Sequence, residues 1–318
     1  MVLTRLMCED DIDAVRQIDA AAFGAWRAQL AGTPVDLPRR TRVNILAGLA
    51  KDPDGCFVAE EGGQIVGYVF SRTWGSTGWF GPFGVLPRKQ GRGIGGQLIA
   101  ASMGYLRRPG CIVGLETVPE SAYNLGLYLR QGFQARFLSL MLTKQLVDAP
   151  SRAVPLLRWS LAGAEARGRW LAGLGQAMDR ISPGLDCTKE IVIAERMGLG
   201  ETLIVTCGPE AIGCATLSLS GVREGMGATA SSVQIMVLDP PHTDDDTFRT
   251  LLEGSEALAR VLGKQTLTVP VNAMHTWALD RLLAWGYRVD RTLVRFVLAG
   301  TDDGPTTDHF VELGRWAG

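Results

Sequence analysis

The glycine-rich stretch "FGVLPRKQGRGIGGQLI" at residues 83–99 constrains the fold more than any other part of the sequence. Four glycines fall within six positions, where an apolar run gives way to a helical pattern. Glycine permits positive φ angles and lets another group approach the main chain closely. The first N–H groups of a helix are unpaired and carry the positive end of its dipole. A glycine loop that opens a helix is therefore typical of a phosphate-binding site.

Two common phosphate loops fit this stretch poorly. Gly91, Gly93 and Gly96 match the dinucleotide pattern G-x-G-x-x-G, and Glu116 follows at about the distance of a ribose-binding acid. In a dinucleotide fold, however, the strand runs straight into the first glycine, whereas residues 87–90 intervene here. A P-loop fails because no Gly-Lys-Ser/Thr follows the glycines. A nicotinamide-dependent oxidoreductase is thus the least favoured alternative.

The neighbouring patterns predict an antiparallel meander that leads into the glycine loop. Residues 55–74 indicate two strands joined by a tight turn at 61–63, and residues 76–87 a third strand. Two helices are predicted before the meander, at 9–23 and about 38–50, the first amphipathic with acids in its opening turn. After the loop, the patterns predict a helix to about Arg107, a buried strand at 111–117, a helix at 121–131 and a strand at 133–144.

Two motifs of this half resemble those of a known family. Gln90-Gly91-Arg92-Gly93-Ile94-Gly95, after a strand that ends in Val-x-Pro, resembles the acyl-CoA loop of the GNAT N-acetyltransferases. "NLGLYLRQGF" at 124–133 is similar to the Leu-Tyr-x-x-x-Gly-Phe that closes the GNAT core. The resemblance covers residues 1 to about 145.

The chain then repeats short words in the same order. Val-Leu-Pro at 85–87 has a partner in "VLDP" at 237–240, and Thr-Val-Pro at 117–119 recurs at 268–270. Three strand-like segments precede the second set of these motifs, as three precede the first set. The repeated motifs predict a second copy of the domain. The alternative is a coincidence among short apolar motifs.

The second copy lacks the features that suit an acyl-CoA loop. "PPHTDDDTFRTLL" at 240–252 replaces the glycine loop, with acids at 244–246 that would cap the helix and repel a pyrophosphate. Leu282 occupies the place of Tyr128. The predicted fold class is therefore α/β (α+β): two GNAT-like domains, each a mixed, mostly antiparallel central sheet flanked by helices. The predicted divisions are an acetyl-CoA-binding domain at 1–145, a connector and helix at 146–184, and a degenerate GNAT-like domain with a C-terminal tail at 185–318.

The resemblance implies an N-acetyltransferase that moves an acetyl group from acetyl-CoA to a primary amine of a small molecule or peptide by direct attack. It implies that Phe83 and Val85 contact the pantetheine arm and that the loop amides hold the pyrophosphate, with charge from Arg88 or Arg92. The residues of that loop are Gln90, Gly91, Arg92, Gly93, Ile94 and Gly95. Ser121 stands where the family often has an asparagine, and Asn124, one turn later, is the candidate for that contact.

Acyl transfer needs a base for the amine and an acid for the departing thiolate. Tyr128 matches the family tyrosine that often protonates the thiolate; the alternative is a core aromatic on an amphipathic helix. Glu116 is the best candidate for the base; the alternative is a solvated carboxylate at a strand end. A different function, a non-catalytic acyl-CoA-binding regulatory module, would keep the glycine loop without needing Tyr128.

Composition and charge bear on the cosubstrate, the partners and the cellular compartment. The net charge is −1, and it divides into +4 for residues 1–145 and −5 for the remainder, which suits an anionic cosubstrate in the first half. No basic run with interleaved aromatics indicates nucleic acid. Six cysteines without C-x-x-C spacing predict free thiols, no metal and a reducing cytoplasm. Apolar runs too short for a bilayer and an opening strand predict a cytoplasmic protein with no membrane partner. A tandem chain is compatible with a monomer or a homodimer.

Overall fold

The computed structural model describes residues 1–146, 156–301 and 311–313. The helices of these ranges are α1 (Ile12–Ala31), α2 (Arg42–Lys51), α3 (Ile94–Leu106), α4 (Ala122–Arg130), α5 (Ala164–Ile181), α6 (Thr188–Arg196), α7 (Asp245–Val261) and α8 (Thr276–Ala284). The strands are β1 (Val2–Leu6), β2 (Cys56–Glu61), β3 (Gln64–Trp74), β4 (Thr77–Val85), β5 (Ile112–Thr117), β6 (Phe133–Gln145), β7 (Leu157–Arg158), β8 (Gly200–Cys207), β9 (Glu210–Ser218), β10 (Ala230–Leu238), β11 (Thr266–Asn272), β12 (Arg288–Leu298) and β13 (Val311–Leu313).

The predicted meander forms the centre of the first half. Strands β2, β3 and β4 pair antiparallel, and Gly62 and Gly63 adopt the positive φ angles that the tight turn between β2 and β3 requires. Alternate side chains of the strands enter two different cores. Tyr68 and Phe70 pack beneath α1 and α2, whereas Val69 packs on the other face beneath α3. The site described below lies where the sheet opens between these two cores.

The second half repeats the element order of the first, as the sequence predicts. Strands β8 to β10, then α7, β11, α8 and β12, follow the same succession as β2 to β4, α3, β5, α4 and β6. The order also makes β7, α5 and α6 the counterparts of β1, α1 and α2. Helix α6 was not predicted from the sequence. The boundary at 185 stays a prediction, and residues 147–155 of the predicted connector lie outside the described residues.

The two copies share one mixed sheet with an exchange of strands. Among the described residues the sheet has 13 strands, and only the pairs β4–β5 and β10–β11 are parallel. Strand β12 of the second copy lies between β5 and β6 of the first, and β6 in turn pairs with β11. Val294 thus faces Thr117, and Val269 faces Leu142. The mostly antiparallel sheet is confirmed, while the exchange makes each copy dependent on the other's last strand.

The parallel strands of the first copy separate and leave an opening. Residues 77–79 of β4 pair with residues 112–114 of β5, after which β4 continues to Val85 and β5 to Thr117 without pairing with each other. In the second copy β10 and β11 also separate, beyond residues 232 and 268, but there the backbone of β13 pairs with residues 235–237 of β10. Only the first of these two openings is therefore free of a described strand.

Two further features bear on the predictions about the cysteines and the membrane. All six cysteines carry free thiols. No helix in the described ranges combines the length and the apolar character that crossing a bilayer would require.

Candidate active site

A cavity of about 1150 Å³ occupies the opening between β4 and β5. Its walls come from the ends of these strands, the glycine loop, α1 and α4, and from the second copy through residues 218–232 and β12. Ten of the twelve predicted site residues line it: Phe83, Val85, Gln90, Gly91, Gly93, Ile94, Gly95, Glu116, Asn124 and Tyr128. Arg88 and Arg92 do not line it.

The glycine loop presents unpaired backbone N–H groups to the cavity. Gly91 and Gly93 have φ angles of 75° and 81°, and a Cβ at either position would meet nothing within 4 Å. Their backbone conformation, and not crowding, is therefore what favours glycine. Helix α3 begins at Ile94 with no side-chain cap and no acid in its first turn. The open N–H groups and the helix dipole make this end of the cavity suitable for an anion.

Glu61 anchors this loop from the neighbouring turn. Arg92 Nη2 lies 2.7 Å from Glu61 Oε1, and Lys89 Nζ also pairs with Glu61. Hydrogen bonds from Lys89 and Arg92 lower the pKa of the Glu61 carboxyl below its usual range. In addition, Gln90 Nε2 donates to the Val85 carbonyl at 3.0 Å. Since Arg92 is engaged in this way, its predicted contact with a pyrophosphate stays a prediction, and Lys89 is the basic side chain of the loop that lines the cavity.

The corresponding helix of the second copy caps itself. Asp244 accepts a hydrogen bond from the Thr247 N–H at 2.7 Å, and Asp245 and Asp246 occupy the first turn of α7. The N–H groups at this end, chiefly that of Thr247, lower the pKa of the Asp244 carboxyl. Leu282, in the place of Tyr128, is fully buried. The second copy therefore has neither the open helix end nor the phenol, in agreement with the sequence prediction.

Tyr128 lies on the α3 side of the opening. Its ring centroid is 6.0 Å from that of Phe80, 6.4 Å from that of Phe133 and 5.9 Å from that of Phe296. The side chain is buried among these rings yet borders the cavity. Burial raises the pKa of Tyr128, so the phenol keeps its proton throughout the neutral range. Tyr128 is therefore a core aromatic that also borders the cavity.

Glu116 lies on the opposite side of the opening. Val113 and Leu115 belong to the core beneath α3, so strand alternation directs Glu116 to the α1 face. Ser139 donates a hydrogen bond to Glu116 Oε1, and Arg295 Nη2 lies 3.3 Å from the same oxygen. The other oxygen, Oε2, has no hydrogen-bond partner among the described residues. Glu116 is 6 % exposed, so it is not the solvated strand-end carboxylate of the alternative interpretation.

The two partners of Glu116 come from exchanged strands. Ser139 belongs to β6, and Arg295 belongs to β12, opposite Glu116 in the register. Arg295 also lies over the Trp79 ring, 5.0 Å from its centroid. Neither partner could be predicted from the sequence, because only the strand exchange brings these distant residues to β5.

Asn124 borders the cavity one turn into α4. Ser121, at the position where the family often has asparagine, caps this helix by accepting the Asn124 N–H at 3.3 Å. Asn124 Nδ2 donates to Thr117 Oγ1 at 3.4 Å. Ser121 thus has a structural role, and Asn124 is held beside the opening.

An insertion in the second copy closes the α1 side of the cavity. Strands β3 and β4 are joined by two residues, whereas residues 219–229 join β9 to β10. Within this insertion the Val222 carbonyl accepts from the Thr41 N–H at 3.0 Å, and the Glu224 N–H donates to the Arg39 carbonyl at 2.9 Å. The second copy therefore supplies part of the wall of a cavity whose glycine loop belongs to the first.

A buried ionic cluster fixes this insertion to the first copy. Asp19 is fully buried, with Arg40 Nε at 2.8 Å and Arg223 Nη2 at 2.6 Å from its carboxylate oxygens. Tyr68 donates a hydrogen bond to Asp19 at 2.6 Å. Burial by itself would raise the pKa of Asp19, but the two arginines outweigh it and hold the carboxyl ionised. The cluster links α1, the segment just before α2, strand β3 and the insertion at one point.

Comparison with known proteins agrees with the fold. Residues 13–133 match the profile of the Acetyltransferase (GNAT) family. No curated protein matches the sequence. At 14–17% identity, structural similarities show the shared fold alone.

Three solved structures align with nearly the whole chain. An acetyltransferase of Pyrococcus horikoshii aligns over 98% of this chain and 92% of its own, with 17% identity and a TM-score of 0.64. A GCN5-related N-acetyltransferase from Sphaerobacter thermophilus aligns over 96% and 98%, with 14% identity and a TM-score of 0.62. A tandem GNAT protein from the clavulanic acid biosynthesis pathway aligns over 95% and 100%, with 14% identity and a TM-score of 0.60.

Residues 13–133 thus match the GNAT family of acetyltransferases, whose general activity is acyl transfer. The chain as a whole has a tandem arrangement, in which a degenerate GNAT-like copy follows the domain that carries the glycine loop.

Proposed function

We propose that the protein is an N-acetyltransferase that moves an acetyl group from acetyl-CoA to a primary amine of a small molecule or peptide by direct attack. One observation carries this proposal. The cavity passes through the opened sheet and joins the uncapped glycine loop and Tyr128, on the α3 side, to Glu116 on the α1 side. A proton donor and a proton acceptor thus flank the opening from opposite faces.

The residues present fit a CoA thioester. The open N–H groups of residues 91–96 would hold its pyrophosphate, because they combine free donors with the positive end of the α3 dipole. The backbone at Phe83 and Val85 borders the slot for the pantetheine arm, and Asn124 lies across from it. When bound, acetyl-CoA supplies the activated acyl group.

Each of the two predicted catalytic residues would handle one proton. Glu116 Oε2 would accept the proton of the attacking amine, while Ser139 and Arg295 hold the carboxylate through Oε1. Tyr128 would donate its proton where the thiolate leaves, and the rings around it fix the direction of its hydroxyl. The surrounding apolar core keeps bulk water from the phenol.

Replacing Tyr128 with phenylalanine tests the role of the phenol. We expect kcat to fall about 10- to 100-fold, because a general acid acts in the transition state and a thiolate is a comparatively good leaving group. The acetyl-CoA dissociation constant should stay within about twofold, since the ring and its packing remain. The measurement is thiol release from acetyl-CoA across a panel of amines, with calorimetry for affinity.

Tyr123→Phe is the matched control. Tyr123 lies on the same helix and borders the same cavity, but it is 66 % exposed and has no place among the buried rings. Its loss should leave kcat within about twofold. If Tyr128→Phe behaved like this control, the phenol would have no part in the chemistry. Tight acetyl-CoA binding without turnover on any amine would instead favour the non-catalytic regulatory module.

The contrast between the copies predicts one acetyl-CoA per chain. The first opening has an uncapped helix end, while the second has the Asp244 cap and the paired backbone of β13. Titration calorimetry should therefore give a stoichiometry of one. Two equivalent sites per chain would show that the acidic helix end of the second copy tolerates phosphate.

A further inference from the structure

The α1 end of the cavity is rich in guanidinium groups. Arg27 from α1, Arg291 from β12, and Arg40 and Arg223 of the Asp19 cluster all line it. The carboxylates on this side are Asp290 in the lining, Asp19 behind it and Glu116, which is paired with Arg295, so the four positive groups at this end outnumber Asp290 and Asp19. This end of the cavity does not attract a simple cationic amine, whereas it does attract an anion.

Arg27 and Arg291 are the two of these groups that no carboxylate neutralises directly. Neither side chain has a hydrogen bond or an ion pair with another of the described residues, whereas Arg40 and Arg223 share Asp19. Partial burial, more than the opposing effect of Asp290, lowers the pKa of Arg291, and the nearby charge of Arg27 lowers it further. Two like charges from different elements thus lie close together at the edge of one cavity, an arrangement that an anion placed between them would stabilise.

This end is separate from the glycine loop. Helix α1 covers the sheet face of Tyr68 and Phe70, whereas α3 and its loop cover the opposite face. Alternation along β12 places Arg291 and Arg295 on the same face, and Arg295 meets Glu116 there. The two free arginines therefore lie on the Glu116 side of the opened sheet and not on the side that would hold the pyrophosphate.

We infer that the acceptor is an amine that also carries an acidic group, a carboxylate or a phosphate, which Arg27 and Arg291 bind. This inference rests on the proposed function, because it assigns the amine to Glu116 and the acid to the far end of the same cavity. Arginine suits the role, since its planar fork matches the oxygens of either acid. An acidic group held there would also fix the distance and direction of the amine.

Paired amines that differ only in the acid test the inference. One arm compares β-alanine with β-alaninamide, and the other compares O-phosphoethanolamine with ethanolamine, each with homologues one and two methylenes longer. We expect kcat/KM to be about 100-fold higher for the acidic amine than for its neutral partner in at least one of the two comparisons. The comparison that shows this preference identifies the acid as a carboxylate or a phosphate. Arg27→Gln and Arg291→Gln should each lower that preference about tenfold, and the double variant should remove it.

Two controls separate the acceptor from the cosubstrate. The acetyl-CoA dissociation constant should stay within about twofold in both variants, because the glycine loop is on the other face. Arg107→Gln, which removes an exposed positive charge away from the cavity, should leave the preference unchanged. Equal loss of activity on acidic and neutral amines would overturn the inference, as would a parent enzyme without a preference for the acidic members.

Binding measurements keep this inference distinct from the proposed function. If no amine supports thiol release, calorimetry with the same acidic probes in the presence of CoA is decisive. Binding that the double variant loses would support the acid site while rejecting the transferase. Absence of both binding and turnover with every acidic probe would reject the acid site.

Discussion

Gly93→Asp is expected to abolish acetyl-CoA binding while the fold survives. Gly93 has a φ of 81°, and a Cβ there would meet nothing within 4 Å, so the side chain has room and projects beside the open N–H groups of α3. A carboxylate about 4 Å from a phosphate charge costs about 4 kcal/mol at an effective dielectric constant of about 20. Since about 1.4 kcal/mol corresponds to tenfold in affinity, even a screened repulsion should weaken binding more than 100-fold.

Two matched variants isolate the charge. Gly93→Asn has nearly the same size and the same tolerance of positive φ but no charge, so it should lose less than about tenfold. Gly198→Asp introduces the same side chain at a φ of 64°, also with nothing within 4 Å, at a residue that does not line the cavity. It should leave affinity unchanged. Calorimetry gives the affinities, and thermal unfolding checks the fold; a change of less than about threefold for Gly93→Asp would show that phosphate binds elsewhere.

The first half was predictable because its signals are local. The turn at Gly62 and Gly63, the glycine loop and the helix spacing of α1 each depend on neighbouring residues, and the structure places all of them as predicted. Helix α1 extends further than its pattern suggested, to Ala31, where Gly32 ends it in the left-handed conformation. Local chemistry thus located the glycine-loop end of the cavity, where we propose that acetyl-CoA binds.

The strand exchange could not be read from the sequence. The apolar patterns of β6 and β12 indicate buried strands, but a buried strand satisfies its backbone equally well beside either copy. Short repeated words showed that the halves are related and not how they pair. The partners of Glu116 depend on this pairing, since Arg295 lies 179 positions further along the chain than Glu116.

The arginine-rich end of the cavity could not be predicted from the sequence for a related reason. The insertion at 219–229 interrupts the repeat, and a polar, glycine-containing segment reads as an ordinary loop. Its docking depends on Asp19, which the sequence presents as one more acid on an amphipathic helix. Only the fold shows that Arg40 and Arg223 converge on it and carry the insertion to the cavity.

The environment of Glu116 makes it the sharpest test of mechanism. Substituting glutamine keeps an oxygen that can accept from Ser139 and Arg295, and it replaces only Oε2, the oxygen left for the amine, with an NH₂ group. Packing should therefore be preserved while proton acceptance is lost. We expect kcat at neutral pH to fall about 100- to 1,000-fold, the range for a positioned general base, with the acetyl-CoA dissociation constant within about twofold.

The pH dependence of Glu116→Gln distinguishes a base from a merely structural carboxylate. Raising the pH supplies amine that solvent has already deprotonated, so the deficit relative to the parent should shrink as the pH approaches the amine's own pKa, about 10 for an alkyl amine. Glu120→Gln is the matched control, because Glu120 is an exposed acid just beyond β5 and does not line the cavity. It should keep kcat within about twofold at every pH. A deficit in Glu116→Gln that stays constant with pH would mean that the carboxylate only orders Arg295 and the exchanged strand, and the base would then have to be sought among solvent and the substrate itself.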